Sequence, residues 1–332
     1  MRIKNAKLNG SPTDIMTSPQ KINTFLRSAN NFLGRFIPIT TPFAVGLGLF
    51  FPDVFKTFRP FVPWLFAMMT FSGALKLKAT ELGNAVKRPI PILLFFFTSH
   101  VLMPCIAMLS SFAFLPNPDI NTGFILLFAG PTAVSGFIWV SIYKGDKALG
   151  LTLILLDTML APLVVPATIF IFMGSEISMD MSGIAISLLL MIVIPTIIGV
   201  TMNETSKGKI PAAICPGFDP LSKICLMLVV AANTSAIASN VRFNDPLVWK
   251  TALLCIILTI TGFFLARLNG IIGKCGDEKN ASLIIAGGLR NNSAVMTIAV
   301  TFFPELVVLP TLVSIIFQQM IMAVLGRVII KK

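Results

Sequence analysis

Charged and amide side chains interrupt an apolar stretch near the end of the chain. Residues 281–303 are otherwise hydrophobic, yet residues 286–293 read AGGLRNNS and include Arg290. Two adjacent glycines weaken a helix, and a charge at bilayer depth is costly enough to mark a functional site with an expected partner. Irregular backbone at that depth is tolerated where it is buried in protein or lines a wet cavity. We interpret the stretch as a broken helix facing a binding site; a kinked helix with Arg290 snorkelling to the interface is the alternative.

Asp157 is the one acidic residue in the middle of an apolar segment, as Arg290 is the one basic residue. Either charge alone would be costly in the membrane, so we predict that the two side chains approach within salt-bridge distance in at least one state. The single histidine, His100, lies beside Ser99 in another apolar segment. It is either a proton relay or a structural histidine with satisfied hydrogen bonds. Ion or proton coupling is therefore predicted to involve these four residues.

The composition indicates an all-α polytopic membrane protein. Of the 332 residues, 55% are hydrophobic and 12% charged, and the mean hydropathy is +0.87. The apolar runs are about twenty residues long, which fits helices rather than barrel strands. The net charge of +12 is scattered over short loops, without the basic face of a nucleic-acid-binding protein. The five cysteines have no CxxC spacing, so no metal centre, disulfide framework or cofactor is expected.

Ten membrane-spanning helices are predicted, and they divide into two halves of five. The predicted spans are 37–52, 60–77, 89–115, 122–143, 148–173, 182–202, 219–240, 249–270, 281–303 and 308–329. Residues 37–174 form the first five-helix repeat and residues 175–332 the second, which the odd number of spans makes inverted. The fourth span breaks at Gly130–Pro131 and the ninth at Gly287–Gly288. Interrupted spans at matching positions of inverted halves point to a transporter binding site.

The lysines and arginines alternate from loop to loop between the two sides of the membrane. If the N-terminus is cytoplasmic, all 26 fall on the cytoplasmic side except Arg290 and four others. These four are Lys56, Arg59, Arg242 and Lys250. The positive-inside rule therefore predicts cytoplasmic N- and C-termini in the plasma membrane. Residues 1–36 are predicted to form a cytoplasmic tail with a short interfacial helix over 25–36; a tail disordered up to about residue 20 is the alternative.

Short motifs spread over residues 37–330 resemble those of the bile acid:sodium symporter family, a broad group of secondary transporters. In chain order they are FSGALKLK at 71–78, Lys87-Arg88-Pro89, Met103-Pro104, Gly130-Pro131, Lys144-Gly145-Asp146, Ala161-Pro162, Pro166 and Gly288-Leu289-Arg290-Asn291. The resemblance implies a panel domain and a core domain, with the broken fourth and ninth helices crossing in the core. It also implies a small organic anion as substrate beside the crossing, with two sodium ions behind it.

The resemblance and the broken spans together indicate which residues bind the substrate. These are Pro131, Thr132, Ser135, Arg290, Asn291, Asn292, Gln318 and Gln319. For the two glutamines of the tenth span, hydrogen bonds between helices are an equally open interpretation.

The sequence departs from the family at the positions that would bind sodium. The family's ligands fall here on Ser99, Gly136, Phe137, Gly150, Ile154, Ala286 and Arg290, which supply few oxygen atoms. A guanidinium at Arg290 would occupy the volume of the missing cations. Asp157, which shares a helix face with Gly150 and Ile154, would supply the carboxylate lost at position 286. We therefore predict that the protein carries its own cation and that sodium is not its partner.

The expected function is alternating-access transport of a small organic anion without sodium coupling. Uniport, exchange and proton coupling through Asp157 or His100 remain open, as does a different organic solute. A membrane receptor or sensor that binds a ligand without moving it is the alternative class. An enzyme is not expected, because the sequence has no zinc-type ligand spacing and no Gly-x-Ser-x-Gly elbow.

Overall fold

The computed structural model describes residues 26, 28, 30, 40–78, 89–173, 180–239, 241, 242 and 244–330. This part of the chain is helical and has no strand apart from an isolated bridge between Thr132 and Arg290. The all-α class is thereby confirmed. Of the predicted interfacial helix, Leu26, Ser28 and Asn30 are described and helical; the rest of the predicted tail lies outside the described residues.

The helices are numbered here in chain order. They are α1 Thr40–Phe50, α2 Pro52–Lys56, α3 Val62–Ala74, α4 Pro89–Phe114, α5 Pro118–Ala129, α6 Gly136–Ile142, α7 Lys147–Met173, α8 Met181–Thr205, α9 Lys209–Thr234, α10 Pro246–Ile272, α11 Asp277–Gly288, α12 Asn292–Phe302 and α13 Leu309–Ile329. A 3₁₀ turn at Arg59–Phe61 leads into α3, and another at Glu305–Val308 leads into α13.

Six segments of the described chain are long and apolar enough to cross a membrane. They are α4, α7, α8, α9, α10 and α13 with its preceding turn. The other predicted spans correspond to the shorter helices α1 and α3 and to the pairs α5–α6 and α11–α12. A multi-pass helical membrane protein is therefore confirmed. The ten spans, their inverted repeat and the division into panel and core stay predictions.

Two of the long helices contain a wide turn just before a proline. Thr98–Leu102 of α4 and Leu189–Val193 of α8 are π turns, followed by Pro104 and Pro195. A proline ring clashes with the carbonyl four residues earlier, which in both helices belongs to the π turn. The bulge relieves that clash. Such bulges are frequent at functional sites, and the one in α4 contains buried His100.

The fourth predicted span breaks where the sequence predicts. α5 ends at Ala129, and Gly130 has extended backbone with ψ 150°, because a residue before proline is disfavoured in the helical region. Helix α12 packs directly onto this break. A Cβ at Gly130 would lie 2.2 Å from Cγ2 of Val295, so only glycine permits the contact.

The ninth span breaks directly after Gly287–Gly288, one residue beyond the predicted position. Both glycines are the last residues of α11, and the extended backbone begins at Leu289, with φ −104° and ψ 117°. Their role is close packing against α10. A Cβ at Gly288 would lie 2.1 Å from Cδ1 of Phe263, and one at Gly287 would lie 2.7 Å from Cβ of Ala266.

The seventh predicted span begins earlier than the sequence indicates. Helix α9 starts at Lys209 instead of near residue 219, and it contains Pro216 and Pro220 in its interior. Membrane helices tolerate internal prolines when neighbours satisfy the freed backbone groups. As a result Asp219 and Lys223, which the charge pattern assigns to a loop or a span end, are helical residues that face other side chains.

Two apolar clusters hold the broken helices. The larger one contains Phe124 of α5, Val165 of α7 and Met296 of α12, all fully buried. A smaller one joins Val140 of α6 to Phe263 of α10 and neighbouring residues of α11. Each half of a broken helix is therefore packed in place, so that the two breaks have fixed positions.

Candidate substrate and coupling site

The two helix breaks lie against each other and form backbone hydrogen bonds with each other. The Ala133 N–H donates to the Leu289 carbonyl over 3.1 Å, and the Asn291 N–H donates to the Pro131 carbonyl over 2.7 Å. These bonds flank an antiparallel bridge between Thr132 and Arg290. Buried backbone groups need such partners, which explains how irregular chain is accommodated between apolar helices. We call this paired backbone, residues 130–135 and 289–291, the crossing.

Gln318 of α13 holds the crossing from one side. Its Oε1 accepts from the Arg290 N–H over 3.1 Å, and its Nε2 donates to the Arg290 carbonyl over 3.0 Å. The side chain is buried. Both hydrogen bonds connect α13 to the break of the ninth span. They correspond to the interpretation of Gln318 as a contact between helices rather than as a substrate ligand.

Asp157 of α7 connects the crossing to α4. Its side chain is 0% exposed. Oδ1 lies 2.7 Å from Nε2 of His100, and Oδ2 accepts from the Thr132 N–H over 2.7 Å. The Thr132 hydroxyl in turn donates to the Ala286 carbonyl over 2.9 Å. A single carboxylate therefore binds the π turn of α4 and the break of the fourth span.

The Arg290 guanidinium binds backbone carbonyls. Its side chain is 2% exposed; Nη1 donates to the Gly130 carbonyl over 3.3 Å and Nη2 to the Ser99 carbonyl over 3.2 Å. The first carbonyl lies at the break and the second in the π turn of α4. Both belong to irregular backbone, where carbonyl oxygens lack the usual helical donors. The guanidinium thus has oxygen neighbours of the type that a sodium ion would use.

The predicted salt bridge between Asp157 and Arg290 is not formed in this conformation. Asp157 is hydrogen-bonded to His100 and to the Thr132 N–H instead, so both of its oxygen atoms are occupied. The two charges attract each other without direct contact. A salt bridge between Asp157 and Arg290 in another state of the protein stays a prediction.

Two buried polar atoms at the same place have no hydrogen-bond partner in the described part of the chain. They are Nδ1 of His100 and Oγ of Ser99. The His100 ring stacks on Phe96, with the ring centroids 5.6 Å apart. A neutral imidazole with Nε2 donating to Asp157 presents Nδ1 as an acceptor, and the protonated ring presents it as a donor. His100 is therefore not a fully satisfied structural histidine.

A cavity of about 470 Å³ lies between the crossing and the helices α3 and α9. Its polar lining residues are Asn30, Thr70, Ser72, Lys76, Ser135, Asp219, Ser222, Lys223, Asn291 and Ser293. Among the predicted substrate residues, Ser135 and Asn291 line this cavity. Pro131, Thr132, Arg290, Asn292 and Gln318 are buried at or beside the crossing. Gln319 lies elsewhere, with Oε1 accepting from Trp139 of α6 over 2.8 Å.

The charged wall of this cavity is not predicted from the sequence. Lys76 and Asp219 form an ion pair at 2.7 Å, and Lys223 donates to the carbonyl of Asn30 over 2.6 Å and also to its side-chain oxygen. The charges were assigned to loops because α9 was predicted to start too late. The spacing of Asp219 and Lys223, four residues apart on one helix face, is the signal that would have found them.

Comparisons with known proteins identify the family of this chain. The model of the sodium bile acid symporter family matches residues 62–242, more than half of the chain. The chain belongs to this family. The resemblance seen in the short motifs is thereby confirmed, and membership identifies a membrane transporter rather than an enzyme.

Three relatives cover most of the chain. The Bacillus subtilis protein named uncharacterized protein YbaS is 36% identical and covers 87% of this chain and 95% of its own length. The Bacillus subtilis uncharacterized sodium-dependent transporter YocS is 22% identical and covers 89% of this chain and 91% of its own. The rice chloroplastic protein named probable sodium/metabolite cotransporter BASS3 is 23% identical and covers 80% of this chain and 62% of its own.

Proposed function

We propose that this family member carries a small organic anion across the plasma membrane without sodium. The proposal rests mainly on one observation: the Arg290 guanidinium is hydrogen-bonded to the carbonyls of Gly130 and Ser99. In this proposal ten spans form two inverted repeats, 37–174 and 175–332, with both termini cytoplasmic. Alternating access occurs at the crossing, as broken helices at matching positions suggest. The cavity beside Asn291 then opens to the cytoplasm, because Lys76 and Lys223 are on the side that the charge pattern makes cytoplasmic.

Apolar packing at the positions of the family's sodium ligands supports this proposal. Methyl carbons of Ile154, Ile285 and Leu289 would lie 3.7 to 3.8 Å from a Cβ at Gly136. Val140 carbons would lie 3.0 and 3.2 Å from a Cβ at Gly150, and the Ser282 hydroxyl oxygen would lie 3.6 Å away. Five of the six nearest atoms at these two positions are therefore hydrocarbon, where sodium would need several oxygen ligands.

The fixed charge of Arg290 supports it as well. At about 4 Å and an effective dielectric constant near 20, repulsion between two unit cations is roughly 4 kcal/mol. This corresponds to nearly a thousandfold in affinity, at about 1.4 kcal/mol for each factor of ten. Two of the three relatives described above have sodium in their names, so the proposal assigns this chain a coupling different from the one that those names state.

Proton coupling is the second candidate, and the contact between His100 and Asp157 favours it. With His100 neutral, the opposite charges of Asp157 and Arg290 cancel. Uptake of one proton by the His100–Asp157 pair gives the crossing a net positive charge, which an anion in the adjacent cavity neutralises. When that proton lies on Asp157, the hydrogen bond from the Thr132 N–H is weakened, because a neutral acid is a poorer acceptor than a carboxylate. Proton and anion would thus move together; if the pair never protonates, uniport or exchange remains.

Uptake into proteoliposomes in the absence of sodium tests the proposal. Organic acids that stabilise the purified protein in a thermal-shift screen supply the transported probe. We expect equal uptake rates in sodium and choline buffers at every pH. Uptake that collapses in choline and rises saturably with sodium would overturn the sodium-independent mechanism. Binding without flux or exchange would instead favour the receptor or sensor class.

A further inference from the structure

The cavity beside the crossing carries an unequal number of positive and negative charges. Its lining includes Lys76, Lys223 and Asp219 as the charged residues of the described chain. Lys76 is paired with Asp219, which also accepts from the Ser72 hydroxyl over 3.4 Å. In the described chain, Lys223 hydrogen-bonds to neutral oxygen atoms of Asn30 and is attracted by Asp219 without contact. The described lining residues therefore give the cavity two positive charges and one negative charge, an excess of one positive charge.

The other side of the same cavity is polar and uncharged. Ser135, Asn291 and Ser293 line it from the crossing and from the first turn of α12. Apolar side chains between the two sides include Phe66, Met69, Phe137 and Leu226. A cavity of about 470 Å³ with a mainly apolar wall and a few polar groups is typical of small-molecule sites.

We propose that Lys223, assisted by Lys76, binds the carboxylate of the transported anion in this cavity. This inference rests on the proposed transport function and names its substrate class: a monocarboxylate with an apolar body and a hydroxyl or carbonyl group facing Ser135 and Asn291. The single uncompensated charge selects one carboxylate over two. The carboxylate replaces Asn30 as the acceptor for Lys223, because a charge-assisted hydrogen bond is about twice as strong as one with a neutral acceptor.

Arg290 has a different role under this proposal. Both of its terminal nitrogen atoms donate to backbone carbonyls, and its side chain is buried beneath the crossing. It positions the two breaks and does not contact the anion in this conformation. A recess of about 570 Å³ between Pro89–Pro91 and Gly273–Lys279 is larger, but it shares no lining residue with the crossing. Its two lysines are matched by Asp277 and Glu278, so it offers no excess positive charge.

Thermal stabilisation of the full-length purified protein tests the subsite. The probes are the monocarboxylates 2-oxoisovalerate, phenylpyruvate and benzoate, with the dicarboxylate 2-oxoglutarate for comparison. We expect at least one monocarboxylate to stabilise the wild type and to bind more tightly than 2-oxoglutarate. Lys223→Gln should weaken its binding about tenfold, and Lys223→Arg should restore most of it. Lys78→Gln removes a nearby exposed lysine that does not line the cavity and should leave binding unchanged.

Asn30→Ala separates a binding role from a structural one. Because Asn30 competes with the carboxylate for Lys223, its removal should strengthen binding about threefold, whereas loss of a structural contact would weaken it. Wild-type protein that binds none of the three monocarboxylates, or Lys223→Gln protein that binds as tightly as the wild type, would overturn the subsite. Uptake that persists in Lys223→Gln with unchanged affinity would contradict the subsite and leave the transport function supported. Wild-type protein that binds a monocarboxylate through Lys223 without flux would support the subsite and contradict the transport function.

Discussion

The His100 imidazole and the Asp157 carboxylate are in direct contact, with Nε2 2.7 Å from Oδ1. The pair is buried between α4 and α7, and the carboxylate also holds the Thr132 N–H at the helix break. A proton that is transferred to this carboxylate would therefore weaken a hydrogen bond of the crossing itself. This relationship connects a titratable group to the element that is proposed to move.

Replacement of His100 by Gln tests the proton relay. Proteoliposomes with an acidic exterior should accumulate the anion above equilibrium in the wild type, since protons enter with it. His100→Gln should abolish this accumulation and keep anion exchange at equal pH, because Gln can hydrogen-bond to Asp157 but cannot carry the proton. The measurement is uptake with and without the pH gradient. Accumulation that persists in His100→Gln would exclude His100 as the relay.

The electrostatic coupling of Asp157 and Arg290 predicts a non-additive effect on stability. Asp157→Asn and Arg290→Gln should each lower the free energy of unfolding by about 3–5 kcal/mol, because each strands a buried charge. The double variant should lose less than the sum of the two. Denaturant titration of the protein in micelles provides the three values. Strict additivity would contradict coupling between the two charges.

Adjacent glutamines in α13 provide a matched comparison. Gln318→Ala leaves the buried N–H of Arg290 without a partner, which should cost about 1–3 kcal/mol, and leaves the Arg290 carbonyl with the Asn292 N–H as its donor. Gln319→Ala removes one bond, to a partly buried Trp139, and should cost at most about 1.5 kcal/mol. Thermal unfolding of both variants measures the difference. Equal effects would show that Gln318 does not hold the crossing.

Close packing of α11 on α10 predicts the effect of a single methyl group. Gly288→Ala should destabilise the protein by about 1–3 kcal/mol, as overpacking does, because its Cβ would collide with Phe263. Phe263→Leu in the same chain should recover part of the loss. Gly217→Ala in α9 is the control, since a Cβ there meets nothing within 4 Å and helix propensity favours alanine by about 1 kcal/mol. A melting temperature for Gly217→Ala below that of Gly288→Ala would contradict the packing role of Gly288.

The location of the site could be predicted from sequence because its residues break strong local rules. Arg290 and Asp157 are charges in apolar runs, and Gly130–Pro131 combines a flexible residue with a proline that disfavours helical backbone before it. The partners could not be predicted, because they depend on how distant helices are placed. The carboxylate that was expected to bind Arg290 is hydrogen-bonded to His100. The guanidinium donates to carbonyls of Gly130 and Ser99, which come together only in the assembled structure. The packing role of Gly287–Gly288 could not be predicted for the same reason, since their requirement for space comes from Phe263 and Ala266.

The start of α9 shows where local rules mislead in a membrane protein. Pro216, Pro220 and the charges at 219 and 223 all indicate a loop in a soluble chain. In this structure they belong to a helix whose charged residues find partners in Lys76 and Asn30. The cavity wall therefore became visible only after the helices were assembled.

Anion-stimulated influx of radioactive sodium tests the central claim most directly. Proteoliposomes that contain the wild-type protein are exposed to labelled sodium with and without a monocarboxylate that the protein transports. If Arg290 stands in for bound sodium, the anion should enter while sodium influx stays at the level of protein-free liposomes. A saturable sodium influx that appears only with the anion, in fixed ratio to it, would contradict the account.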